Sequence, residues 1–506
     1  MSQEKVKSLE ELRVIVEDLK VKGKKIVLCH GLFDLMHPGH TAHLESAGRY
    51  GDILVVTITS DKFANRGPGR PIFNQDLRAR EVASRQIVDY VAINNNPTAE
   101  KPIKILKPDF YCKGPDYKDK QLDLTGKIKD EEKAVKECGG QLVITDDFSY
   151  SSSSLINQYL SDFDDSTKMW VDKFKQTHTS DSIINSMRSL RDLRCIVIGE
   201  AIIDEYAYCE VLGASPKDSI LTARHLETER FAGGSLAVAN HIADFVDSLS
   251  IVYLTNGEEQ NFISDNLKGN VDIYPFQSKD STIVKRRFIE KDSLKKLFGL
   301  EYIPKIQIDG RLELNTVEFL EKDLPNYDLV IVTDFGHGFL TEKIVRTICT
   351  KSNFLAVNSQ TNSANRGFNI INNFFSADYI SLDELELRLS YLDNYTKLED
   401  LVRKNQGSFT ALTPSLMSVT RGSKGSIVIT KDAIYEVPSL TNKVVDTVGA
   451  GDAYLAISSL CAARNFSPEL IGFIGNAVGA IAANIVGNKK PVESVELYKF
   501  IERLLK

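Results

Sequence analysis

The chain has 506 residues, of which 42% are hydrophobic and 26% charged, and a formal net charge of −7. That length exceeds one ordinary hydrophobic core and calls for about two or three domains of a folded, water-facing protein. The acidic balance gives no reason to expect nucleic acid as a partner, and the longest apolar runs, such as Ile53 to Ile58, are strand-length, which predicts no membrane span. Residues Met1 to Glu10 are charged and polar, without a secretory signal. Seven cysteines stand singly, with no Cys-x-x-Cys pair. That pattern fits reduced thiols in a cytoplasmic setting and argues against a zinc site or a disulfide framework.

In chain order, Lys25–Cys29 predicts a strand ending in a glycine-bearing turn, and Pro38 to Tyr50 a helix. Ile53–Thr59 reads as a β-branched strand, followed by a helix over about Asp76 to Gln86 and a strand at Val88–Ile93. Asp109–Lys113 and Gln141–Thr145 predict two more strands around a charged helix at Ile128–Cys138. Such alternation specifies a parallel sheet with helices on both faces, and ligands on such sheets bind beyond the carboxyl ends of the strands.

The expected layout is therefore a first α/β domain over residues 1–160, a helical linker over 161–191, and a second α/β domain over 192–506. Strands of the second domain are predicted at Arg194–Gly199, Ile251–Leu254, Leu329–Thr333, Phe354–Val357, Leu416–Thr420 and Ser426–Thr430. The stretch Glu205 to Glu229 reads as a small β flap over a site. No Gly-x-Gly-x-x-Gly follows a strand, which argues against a dehydrogenase.

The first predicted strand runs into Gly31-Leu32-Phe33-Asp34 and then His37-Pro38-Gly39-His40. Two imidazoles three residues apart at a helix start share a face, beside unpaired amides that favour anions. Pro38 suits the first helical position, and Gly31 and Gly39 let backbone approach phosphate. This is a reading for nucleotidyl transfer, which needs positioned phosphates and stabilised charge rather than an enzyme nucleophile.

These residues resemble the cytidylyltransferase-like nucleotidyltransferase superfamily over about residues 24–158. The likeness extends to Arg78, to Cys112-Lys113-Gly114-Pro115-Asp116-Tyr117, and to the serine-rich closing segment Tyr150 to Ile156. By pattern it is most similar to the adenylyltransferase half of the bifunctional heptose-phosphate kinase/adenylyltransferase family. The resemblance implies His37, His40 and Lys113 as catalytic residues. It implies nucleotide contacts from Gly31, Phe33, Asp34, Gly39, Arg78, Ser152 and Ser153, and a substrate contact from Asp116. Asp146-Asp147-Phe148-Ser149 lacks the arginine that cytidylyltransferases for small polyol phosphates often carry, which favours ATP while leaving CTP open. The loop Arg66-Gly67-Pro68-Gly69-Arg70 reads equally as a phosphate cover or a plain turn.

The second motif is Asp446-Thr447-Val448-Gly449-Ala450-Gly451-Asp452, ahead of a run with helical spacing. Small residues let the amides of Val448 to Gly451 converge on an anion at a helix N-terminus. Asp452, one turn inside, is then placed to take a proton from a sugar hydroxyl attacking a γ-phosphoryl group.

From about Arg194 onward the chain resembles the ribokinase family of carbohydrate kinases. The resemblance implies a ribokinase-like α/β/α sandwich with catalytic Asp452 and with substrate contacts from Asp204, Gly233 and Gly234. It further implies nucleotide contacts from Thr420, Gly422, Gly425, Gly449, Ala450, Gly451 and Asn476, and a water-mediated Mg²⁺ contact from Glu384. Departures lie on the sugar side: Glu200 stands for aspartate, Ala237 for asparagine, Ser381 for asparagine, and His337 for lysine. They leave open a different sugar or a domain that only binds, and the intact Asp452 cradle favours an active kinase.

The combined expectation is a sugar kinase and sugar-phosphate nucleotidyltransferase making an ADP-heptose-like nucleotide sugar. Its partners are a sugar phosphate and nucleoside triphosphates, and the resemblance implies a homodimer paired through the flap. The domain order is reversed relative to the heptose family, where the kinase comes first. The alternative is a cytidylyltransferase for a polyol or amino-alcohol phosphate fused to a kinase-like sensor.

Overall fold

The computed structural model describes residues 3–64, 67–114, 127–146, 163–280, 282–306, 308–404 and 414–506. The chain divides into two compact units, Met1–Asp162 with Tyr498–Lys506, and Phe163–Leu497.

The first unit opens with a helix the sequence pattern did not announce, α1 (Leu9–Val21). A capping box starts it: Glu11 N–H donates to Ser8 Oγ at 3.1 Å and Ser8 N–H to Glu11 Oε2 at 2.8 Å. Leu9, Leu12 and Val16, spaced for one helix face, are its buried residues. Then follow β1 (Ile26–Gly31), α2 (Pro38–Gly48), β2 (Ile53–Thr59), α3 (Gln75–Ala83) and β3 (Tyr90–Asn94). The unit continues through α4 (Glu100–Leu106), β4 (Phe110–Lys113), α5 (Lys127–Glu137) and β5 (Gln141–Ile144). Helix α4 is a second element the pattern missed.

The five strands form one parallel sheet in the order β3-β2-β1-β4-β5. Val27, Cys29 and Val56 pack on one face, and Ile26, Leu28 and Val55 on the other. Burial on both faces explains why the strands read as apolar runs instead of alternating patterns. The chain builds outward from β1 to β3 and then returns past β1 to β4. The β1/β4 border is thus the point where strand order reverses, and the crevice beyond its carboxyl ends is the natural ligand position.

The second unit begins with α6 (Asp165–Phe174) and α7 (Ser180–Arg188), the segment predicted as a helical linker. Here α6 packs on its own unit: Trp170 Nε1 donates to Glu436 O at 3.0 Å, and Phe174 stacks on Phe473 at 4.5 Å. After β6 (Arg194–Gly199) the chain leaves the main sheet for the hairpin β7 (Ala201–Ala214) and β8 (Leu221–Gly234). It returns through α8 (Ser235–Ile242), β9 (Ser248–Thr255), α9 (Gln260–Asn266) and β10 (Val271–Gln277). Strands β11 (Ile283–Glu290) and β12 (Lys296–Tyr302) come next, then α10 (Gly310–Asp323), β13 (Leu329–Asp334), α11 (Glu342–Lys351), β14 (Leu355–Ser359) and β15 (Tyr379–Asp383). The rest is α12 (Glu384–Tyr391), α13 (Leu398–Lys404), β16 (Leu416–Thr420), β17 (Ser426–Thr430), β18 (Ile434–Val437), α14 (Ala450–Ala463) and α15 (Pro468–Ala482); of the last helix, α16 (Ser494–Leu505), the residues from Tyr498 onward belong to the first unit.

Nine of these strands form one sheet, β10-β9-β6-β13-β14-β15-β16-β17-β18, parallel up to β16 and antiparallel through the last two. A separate four-stranded sheet, β12-β11-β7-β8, makes the predicted flap and enlarges it by two strands. Among the described residues no helix is long and apolar enough to cross a membrane.

Candidate active sites

Beyond β1 the chain turns sharply. Phe33 adopts φ 50°, and a Cβ on Gly31 would meet the Phe33 ring at 3.0 Å, so glycine there makes room for that ring. Pro38 occupies the first turn of α2 and His37 caps it, its Nδ1 accepting from Gly39 N–H at 3.2 Å. Because that bond uses the Nδ1 lone pair, the neutral ring carries its proton on Nε2. His40 stacks on His37 with ring centroids 3.9 Å apart, and lies 5.3 Å from Phe33. Burial, and after it His37 and His43, push the His40 imidazole down to about 3, and burial lowers His37 as well. Both rings are therefore neutral hydrogen-bonding groups near pH 7.

The remaining predicted residues of this site divide by location. The Asp34 carboxylate accepts from Arg70 Nε at 2.6 Å, Ile72 N–H at 2.8 Å and Phe73 N–H at 3.1 Å. Arg78 is buried and donates to Leu32 O at 2.6 Å, Phe73 O at 2.9 Å and Asp61 at 2.6 Å. In this structure both side chains hold the turn after β1 and the loop through Phe73 in shape. Lys113, at the end of β4, forms a buried ion pair with Glu131 at 3.1 Å. His30, whose ring lies 2.9 Å from Thr57 Oγ1 and 3.3 Å from Thr59 Oγ1, is driven down to about 4, first by burial and then by Lys113. Asp116, Ser152, Ser153 and Arg66 lie outside the described residues.

The second site is a cavity of about 300 Å³. Its floor is the start of α14, where Gly449 at φ 81° forms the cap and a Cβ would overlap Asn488 Oδ1. Two amides expected to face an anion are already used: Val448 N–H donates to Asp446 Oδ1 at 3.1 Å, and Ala450 N–H to Thr447 O at 3.3 Å. The cradle is thus narrower than predicted. It consists of the amides of Gly449, Gly451 and Asp452, which make no hydrogen bond among the described residues. A Cβ on Gly451 would meet nothing within 4 Å, so this face is open.

Asp452 lies in the wall, with its Oδ1 accepting from Gln360 Nε2 at 2.9 Å. Loss of water, and then the negative charge of Asp204, push its carboxyl up to about 7. The flap contributes cations: Lys285 and Arg287, two residues apart on β11 and hence on one face, both line the cavity. Arg287 donates to Asp204 Oδ1, while Lys285 is buried, makes no hydrogen bond among the described residues, and is lowered by its burial. The Lys285 ammonium lies 5.7 Å over the Phe335 ring with no carboxylate within ion-pair distance among the described residues, and a phosphate anion would complete it.

The pfkB family of carbohydrate kinases, by its family profile, matches residues 192–494, more than half of the chain. The chain belongs to the pfkB family of carbohydrate kinases. A cytidylyltransferase-like profile matches residues 28–158. Similar curated proteins include the bifunctional protein HldE of Aliarcobacter butzleri, 41% identical over 143 residues covering 28% of this chain and 30% of that one. HldE of Desulfatibacillum aliphaticivorans is 37% identical over 158 residues, 31% of each chain. The chain thus matches less than a third of the length of these relatives, over its N-terminal region. Among solved structures, phosphofructokinase-2 from Escherichia coli in complex with potassium has a TM-score of 0.51 and 16% identity, covering 62% of this chain and 100% of that one. That likeness shows the fold of the pfkB part.

Within the pfkB part, Asp204, Gly234, Thr420, Gly449, Gly451 and Asp452 share the cavity wall. Gly233 lies behind it, where a Cβ would overlap Asp204 Oδ2. Gly422 and Gly425 instead shape the β16–β17 turn, at φ 57° and 83°. Asn476 donates to Val437 O at 3.0 Å and Pro438 O at 2.9 Å, bracing the end of β18. Glu384 is bonded to Arg388 at 2.7 Å and is absent from the wall, whereas Asp383 and Glu386 are in it. Among the described residues no three His, Cys, Asp or Glu side chains group closely enough to hold a metal ion.

Of the departures from the family pattern, Glu200 has a structural role: its carboxylate accepts from Phe335 N–H at 3.0 Å and His337 N–H at 3.1 Å, fixing the loop after β13. Those are backbone bonds, and nothing in the structure explains the imidazole at 337. Sequence reasoning missed Lys285, Arg287, Gln360, Glu386 and Asn488. For the two cations a signal existed, the alternation of Ile283, Lys285 and Arg287 on one strand face.

Proposed function

We propose that the chain makes a nucleotide-activated sugar by two reactions, one in each unit. In the pfkB unit, the hydroxyl of a sugar, or of a sugar already bearing a phosphate, attacks the γ-phosphorus of ATP, brought in as its Mg²⁺ complex. Asp452 accepts the hydroxyl proton, and the O–P bond to ADP breaks. The amides of Gly449, Gly451 and Asp452 face the phosphoryl oxygens, and the buried Lys285 supplies positive charge. Asp204 and Asn488, themselves joined at 3.2 Å, orient sugar hydroxyls.

In the first unit a phosphate oxygen of the sugar phosphate attacks the α-phosphorus of a nucleoside triphosphate, and pyrophosphate departs. His37 offers Nε2–H, and the neutral His40 beside it adds a second hydrogen-bonding ring. Lys113 exchanges its pairing with Glu131 for a phosphate. ATP is the favoured nucleotide, giving an ADP-heptose-like product; the likeness of the N-terminal region to the bifunctional HldE proteins and the pfkB match of the second unit support this reading.

One observation carries the kinase reading: a carboxyl raised to about 7 shares a cavity with three unpaired helix-start amides and a buried lysine. The test is incubation with ATP or CTP and a panel of heptose and hexose phosphates, with ADP and pyrophosphate followed separately. ADP formation that Asp452→Asn reduces by about 10²–10⁴, with pyrophosphate release intact, is the expected result. ATP bound but no ADP with any sugar would mean a sensor domain, and pyrophosphate from CTP alone would replace the adenylyl reading.

A further inference from the structure

Asp452 is held by a side chain from a different part of the fold. Gln360 follows β14, and its Nε2 donates to Asp452 Oδ1 at 2.9 Å. Its backbone is fixed on both sides: its N–H donates to Asp334 O at 2.7 Å, and its carbonyl accepts from Asn365 Nδ2 at 2.8 Å. Asn365 and Asn362 both reach Phe335 O, at 3.1 and 2.7 Å, and Asn369 reaches Asp334 O at 3.0 Å. Three asparagine amides therefore clamp the loop bearing Gln360 onto the end of β13, and the glutamine side chain is aimed by a rigid backbone.

We propose that Gln360 is the positioning residue for phosphoryl transfer, holding Oδ1 of Asp452 so that Oδ2 is left to take the acceptor's proton. This deepens the kinase reading and rests on it. In the step, the acceptor oxygen bonds to the γ-phosphorus, the bond to the ADP oxygen breaks, and the proton moves to Asp452 Oδ2. Gln360 exchanges nothing.

The surroundings explain why a neutral donor stands here. Asp452 is faced by Asp204 from β7, Lys285 and Arg287 from β11, Asp383 at the end of β15, and Glu386 from α12. Asp204 opposes ionisation of Asp452, Lys285 favours it, and the Gln360 hydrogen bond favours it too. A lysine at 360 would make an ion pair and a glutamate would add repulsion. An amide orients the carboxylate while leaving its basicity near the working range.

Gln360→Met keeps the shape and removes the donor. The expected result is a roughly tenfold or greater fall in kcat for ADP formation, an unchanged KM for ATP, and an acid limb of the pH profile displaced upward by about one unit. Pyrophosphate release, measured on the same sample, reports on the first unit and stays at the wild-type level, and the unchanged KM for ATP reports that the pfkB unit is folded. Should Gln360→Met fail to fold, Gln360→Glu serves, with a larger upward displacement expected. A variant with wild-type kcat and an unmoved acid limb overturns the role of Gln360 while leaving the kinase reading intact. Absence of ADP from the wild-type protein with every acceptor overturns both.

Discussion

The Lys296 ammonium on β12 sits 2.6 Å from the Asp446 carboxylate, the first residue of the glycine turn that opens α14. Asp446 is buried and also accepts from Tyr206 Oη on β7 and from Gly487 N–H at 2.9 Å. Two strands of the flap are thereby tied to the segment that forms the cavity floor. One carboxylate therefore bonds both to the flap and to the turn that shapes the anion cradle.

Lys296→Met should loosen this tie. The side chain is 40% exposed, so its screened ion pair is worth at most about 1 kcal/mol. Hydrogen exchange of the backbone amides of β12, Lys296–Tyr302, is the sensitive readout. These amides are expected to exchange several-fold faster in the variant, while those of β13 are unaffected. Equal exchange in both proteins would mean that the ion pair does not restrain the flap.

Two glycines in the α14 turn separate binding from folding. Gly449→Ala places a Cβ onto Asn488 at φ 81°, so it strains the backbone by about 1–2 kcal/mol and displaces Asn488 from Asp204. Gly451→Ala meets no protein atom and gains helix propensity of up to about 1 kcal/mol. The expected pattern is a lower Tm for Gly449→Ala, and for Gly451→Ala an unchanged or higher Tm with ATP affinity reduced at least tenfold. Calorimetric titration of ATP with both variants checks it, and normal ATP binding by Gly451→Ala would remove the phosphates from that face.

Both candidate sites were read from short segments at helix starts, because a glycine turn, a helix start and its polar side chain are contiguous in sequence. His37 with His40, and Gly449 with Asp452, are such cases. Lys285, Gln360 and Asn488 reach the Asp452 cavity from β11, from the loop after β14 and from the segment after α15, so no local pattern links them. Asp34 and Arg78 were legible as motif members, yet their bonds to Ile72, Phe73 and Leu32 depend on how a distant loop returns. Helix α1 was missed because its three buried residues are scattered in a charged stretch, and only the Ser8–Glu11 capping box signalled it.

His40 gives a prediction for the first unit. With its pKa pushed to about 3 by burial and neighbouring imidazoles, it should stay neutral throughout the physiological range. In ¹³C-histidine-labelled protein its ring resonance should not move between pH 8 and pH 5. A titration centred near 6.5 would show that water reaches the ring. His40→Gln is expected to lower pyrophosphate release by about 10²–10³, the usual effect of losing one preorganised hydrogen-bonding group at a transition state.

The raised carboxyl of Asp452 ties stability to pH in a direction opposite to ordinary salt-bridged acids. Its folded value of about 7 lies above the usual 3.8, so between these limits the folded state holds a proton that the unfolded chain has released. Stability therefore falls as pH rises through that window, and the cost is complete above about 7. Asp452→Asn removes the charge but keeps an oxygen for Gln360, so it should be more stable than the wild type at pH 8, by on the order of 1–2 kcal/mol after Lys285 loses its counter-charge. Near pH 4 the two proteins should melt alike. Thermal unfolding at both pH values measures this, and a variant less stable at pH 8 would mean that Asp452 is well solvated or fully paired, which would also remove its claim to act as a base near neutrality.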